Sequence, residues 1–72
     1  MENGEMAKLE TLLNYWIAHN SEHGQEFREW AEKLISSGVA EAGEDMLKAA
    51  REMDKASESL SQALKRLERK EP

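Results

Sequence analysis

The chain has 72 residues, no cysteine, a single proline at its last position and a formal charge of −5. The lack of cysteine excludes a disulfide framework and a zinc-thiolate staple. The negative balance argues against phosphate-backbone binding to nucleic acid, and no apolar run approaches membrane-spanning length. With 35% charged residues and abundant Ala, Leu, Glu and Lys, the composition is that of long helices or coiled coils. The expectation is one cytoplasmic, all-α domain over residues 1–72, without a signal-peptide pattern and with flexible ends at about 1–4 and 70–72.

The first helix is expected over about 5–36. Leu9, Leu13, Trp16, Asn20, His23, Phe27, Trp30 and Leu34 follow one another at alternating steps of four and three, which is a heptad seam. Only Asn20 and His23 interrupt its apolar character. Asn and Ser favour helix caps, so a three-helix bundle broken near 20–21 is the alternative. An interruption normally shifts the phase, however, and the phase here is the same on both sides. One continuous helix is the better reading.

Ser36, Ser37 and Gly38 form a helix end, with Gly38 free to adopt the left-handed conformation that closes a last turn. The second helix is expected over about 40–69. Val39, Ala42, Met46, Ala49, Met53, Ala56, Leu60, Ala63 and Leu67 keep the same alternation of threes and fours. Lys65, Arg66, Arg69 and Lys70 then lie at its C-terminus, where cations complement the helix dipole. Two long helices joined by so short a loop must run antiparallel. Folding about Gly38 pairs positions whose numbers sum to about 76. Trp16 then meets Leu60, Trp30 meets Met46, and Asn20 and His23 face Ala56 and Met53, with Ser57 alongside.

The apolar stripe of the first helix spans about 140°, wider than a two-stranded seam uses. Ile17, Gly24, Ala31 and Ile35 would stay wet if the second helix were the only partner. A hairpin of this size also buries too little area to offset the entropy of ordering its chain. The expected remedy is a homodimer closing a four-helix bundle, or else a helical protein partner. The core and interface residues expected are Trp16, Ile17, Phe27, Trp30, Ile35, Met53 and Leu60.

His19 and His23 are one turn apart, a spacing that lets two imidazoles reach one metal ion, and Glu26 follows three residues later. His19, His23 and Glu26 therefore offer nitrogen and oxygen ligands suited to zinc, nickel or cobalt. The competing reading makes Asn20, His23 and Ser57 a structural polar layer that fixes register, as buried Asn does in coiled coils, with no metal. The zinc-protease pattern H-E-x-x-H is absent, and so is the Glu-x-x-His of di-metal bundles. No glycine-rich phosphate loop and no nucleophile–base pair occurs, so no catalytic residues and no enzyme activity are expected.

The stretch "YWIAHNSEHGQEFREWAEKL" resembles short uncharacterised helical domains of prokaryotes. The resemblance carries over to Trp16, His19, Asn20, Glu22, His23, Glu26, Phe27 and Trp30, and more loosely to the alanine-rich second helix. Gly24 departs from it, standing where alanine is expected. Some of the similar domains are associated with nickel-handling accessory proteins. The resemblance thus implies a helical fold and nickel as a candidate metal, and no activity.

Overall fold

The structure, a computed structural model, describes residues 3–69. It consists of two α-helices, α1 over Asn3–Ser36 and α2 over Ala40–Glu68, packed against each other as an antiparallel hairpin. The rod measures 52 × 17 × 13 Å, close to the length that the 34 residues of α1 require at 1.5 Å per residue. Helix α1 passes through Asn20–Ser21 without a break, so the three-helix alternative is excluded. The ends expected to be flexible fall largely outside the described residues; Asn3 and Gly4 already belong to α1.

The reversal takes three residues, and its hydrogen bonds explain it. The Val39 N–H donates to the Leu34 carbonyl at 2.9 Å, and the Gly38 N–H donates to the Ile35 carbonyl at 3.1 Å. This nested pair is the Schellman arrangement, which satisfies two of the carbonyls that a helix end leaves open. It needs a left-handed residue between them, and Gly38 supplies it with φ of +88°. Val39 then serves as N-cap of α2 without a side-chain cap bond, and Lys65 and Arg66 stand in its last turn.

The seam between the helices lies elsewhere than the heptad reading put it. The fully buried side chains are Leu13, Ala31 and Ala50, with Gly24 and Gly43 buried beside them. Ile17, Asn20, Met46, Ser57, Ser61 and Leu64 are half-buried along the same line. On α1 the contact stripe is thus rotated by about 60° from the expected one, little more than half the 100° step between residues. Helix α2 is rotated in the same sense, leaving Ala56 and Ala63 exposed. The expectation that Gly24 and Ala31 would stay wet is overturned, and Ile17 is half-buried. Ile35, although 40% exposed, covers Gly43.

Small side chains explain the choice. A Cβ placed on Gly43 would lie 2.6 Å from Ile35 Cγ1 and 3.0 Å from the Ala31 carbonyl oxygen, so the two backbones approach closely there. Helix separation depends on the side chains at the contact, and Gly24, Ala31, Gly43 and Ala50 let this pair close tightly. The meeting of Gly43 with Ala31 and Ile35 agrees with the expected register. On one side of the seam Arg28 of α1 forms an ion pair with Asp54 of α2.

Candidate functional site

Rotation of the seam leaves a second stripe of α1 uncovered. Leu9, Leu12, Trp16, His19, His23, Phe27, Trp30 and Leu34 recur at helical spacing beside the buried stripe, and none of them is fully buried. Trp16 is 39% exposed and Trp30 57%. Both are expected from the sequence as core or interface residues, and within the single hairpin they are not core. On α2 the matching stripe is Ala42, Ala49, Met53, Ala56, Leu60, Ala63 and Leu67, again with no member fully buried. Antiparallel helices wind in opposite senses when viewed along one axis, so these two stripes open on the same side of the hairpin. The result is one continuous face, aromatic along α1 and alanine-rich along α2.

Four rings form a column down the middle of the aromatic half. Tyr15 stacks on His19 with centroids 5.4 Å apart, His19 meets His23 edge-on at 4.3 Å, and His23 stacks on Phe27 at 6.0 Å. The i, i+4 spacing of these residues brings each ring over the next. Farther along, the Lys33 ammonium lies 4.5 Å from the Trp30 ring centroid, a cation–π contact.

Inside the column the two imidazoles place their Nε2 atoms 2.9 Å apart. The other nitrogen of His23, Nδ1, lies 3.3 Å from a carboxylate oxygen of Glu26. When that Nδ1–H donates to Glu26, Nε2 of His23 carries a lone pair, and His19 supplies the hydrogen between the rings. The Glu26 carboxylate thus lies against Nδ1 of His23, whereas Nε2 of the same ring faces His19. The carboxylate does not sit beside the two Nε2 atoms as a third ligand. Among the described residues no group of three or more His, Cys, Asp or Glu side chains is arranged to hold a metal ion.

The expected polar layer does not assemble. His23 hydrogen-bonds to His19 and lies in ion-pair range of Glu26 along its own helix, on the aromatic side of the seam. Ser57 instead lines a shallow groove on the opposite side, with Ile17, Ser21, Asp54, Ser61 and Lys65. Asn20 is half-buried between them. Of the expected interface residues, Met53, Leu60 and Phe27 are half-buried and Ile17 belongs to the seam.

Sequence reasoning missed two contacts, one on each side of the seam. The Tyr15–His19 stack was readable from its i, i+4 spacing. The Arg28–Asp54 pair was not, because long side chains reach past the register that pairs the backbones.

These features define an antiparallel helical hairpin with one polar side and one apolar, histidine-bearing side. A family model matches residues 9–67, and the chain belongs to that family, the domain of unknown function DUF8180. No curated protein and no solved structure matches the chain. Among the described residues no helix is long and apolar enough to cross a membrane.

Proposed function

We propose that this chain is a small helical assembly module that pairs with a second copy of itself through the aromatic–alanine face, closing a four-helix bundle. The observation that carries this reading is surplus surface. The hairpin exposes 5523 Å², whereas a compact monomer of its 8.2 kDa mass exposes about 4,500 Å². The surplus of roughly 1,000 Å² is close to the 800 Å² or so that each partner covers in an interface of standard size. It comes with two exposed tryptophans on one side, the residue type that anchors interfaces. Sedimentation equilibrium at micromolar concentration is expected to give twice the 8.2 kDa chain mass, and Trp16→Glu/Trp30→Glu to give the single mass. A wild-type chain that stays at the single mass throughout the micromolar range overturns the proposal.

A second reading is favoured by the 2.9 Å separation of the His19 and His23 Nε2 atoms. A zinc ion about 2.0–2.1 Å from each nitrogen would subtend about 90° at that separation. This suits octahedral or square geometry directly, and tetrahedral geometry after the nitrogens part by a few tenths of an ångström. Zinc, nickel and cobalt fit by ligand type, and nickel is also the metal that the resemblance implies. Two imidazoles make a bidentate clip, so further donors come from water or from outside the chain. Calorimetric titration with nickel and with zinc is expected to show binding that His19→Ala/His23→Ala abolishes. Glu26→Gln should weaken it by about 10- to 100-fold, as loss of an orienting carboxylate does. Absence of heat with both metals removes this reading and leaves the assembly reading intact.

A further inference from the structure

We infer that the two hairpins pair about a two-fold axis parallel to their helices, so that α1 of each copy lies along α2 of the other. The inference rests on the self-pairing proposed above and adds its geometry.

The argument is steric. The α1 half of the face carries Trp16, His23, Phe27 and Trp30, and the α2 half carries Ala42, Ala49, Ala56 and Ala63 interspersed with Met53, Leu60 and Leu67, so it is the thinner of the two. Two kinds of two-fold axis can lay this face on its own copy. An axis crossing the helices at right angles, in the plane between the hairpins, sets α1 on α1 and α2 on α2. The bulkier aromatic stripe then meets its own copy on one side, while the thinner alanine-rich stripe meets its own copy on the other. Interhelical distance follows side-chain size, with 8–10 Å the usual range. One pair of helices would be forced apart and the other left over voids, which close-packed interiors do not tolerate.

An axis parallel to the helices sets each aromatic stripe on an alanine stripe. The two contacts between the hairpins are then equal by symmetry, and all four contacts round the bundle are antiparallel. A pure rotation about that axis leaves heights unchanged, so the register of the hairpin carries over to the new contact. Phe27 comes level with the partner's Ala49, and Trp16 with the partner's Leu60.

The two arrangements differ in where the turns lie. An axis parallel to the helices brings both Ser37–Gly38–Val39 turns to the same end; the crossing axis puts them at opposite ends of a rod 52 Å long. Because the chain has no cysteine, Ser37→Cys carries a single nitroxide label, and Glu68→Cys gives an independent reading from the open end. Double electron–electron resonance is expected to give a distance of roughly 20–30 Å for each variant, two to three helix diameters. Distances near 50 Å for both overturn this geometry while leaving self-pairing in place. No dipolar modulation, from a chain sedimenting at the single mass, overturns the self-pairing and this inference with it.

Discussion

The two apolar stripes of α1 lie side by side with the same heptad spacing, yet they have opposite fates. The buried one runs through Leu13, Gly24 and Ala31 and contains the smallest side chains of the helix. The uncovered one runs through Trp16, His23, Phe27 and Trp30 and contains the largest. Hydrophobic bulk was therefore a poor guide to which stripe meets α2. A helix pair gains from letting its backbones approach, and small residues permit that. Large flat rings gain most where a broader surface can cover them.

Substitutions in each stripe sharpen the contrast. The largest effect is expected on the buried side, from Gly43→Leu. Its side chain would collide with Ile35 and the Ala31 carbonyl, and overpacking of a tight contact costs typically 1–3 kcal/mol and at times more. Thermal unfolding at fixed chain concentration should show a fall of about 4–24 °C, on the order of 4–8 °C per kcal/mol for domains of this size. On the open side, Trp30→Ala should leave the helicity of the hairpin intact and weaken self-association. Loss of an interface anchor costs about 2 kcal/mol or more, which sedimentation would read as a rise in Kd of at least about 30-fold.

Two further substitutions test finer points of the buried stripe. Gly24→Ala should raise stability by about 1 kcal/mol through helix propensity. Its new Cβ would meet only the movable end of Arg28 at 3.3 Å and Asp54 at 3.9 Å. Equilibrium urea unfolding would check the sign, which should be opposite to that of the same change at Gly43. The smallest effect is expected from Arg28→Ala. Arg28 and Asp54 are 38% and 53% exposed, and solvent-exposed ion pairs are worth about 0–1 kcal/mol. A change within about 1 kcal/mol by the same unfolding measurement would place the pair at the rim of the contact.

Much of the fold was legible in the sequence. The unshifted phase across Asn20 gave one helix, Ser37–Gly38 gave the turn, and the sum rule about Gly38 gave the register. The rotation about each helix axis was not legible. A 140° apolar arc holds two overlapping stripes, and a pattern of threes and fours fits either. What decides between them is the distance of closest approach at Gly43, which depends on both helices at once. The histidine pair was visible in its i, i+4 spacing. The direction of Glu26 was not, since spacing alone does not tell which imidazole nitrogen a carboxylate three residues away will reach.

The bend that sends α2 back along α1 turns on one backbone angle, the φ of +88° at Gly38. A residue with a Cβ there pays about 1 kcal/mol to keep the bend and loses that penalty by continuing the helix. The straightened chain would be a needle on the order of 100 Å long. Two needles can rebuild the same seam by trading halves, each α2 folding onto the other chain's α1. Such an exchanged form would have the same helices and the same buried residues, and only the chain tracing would differ. Gly38 thus tilts the balance toward the hairpin closed within one molecule and away from the exchanged pair.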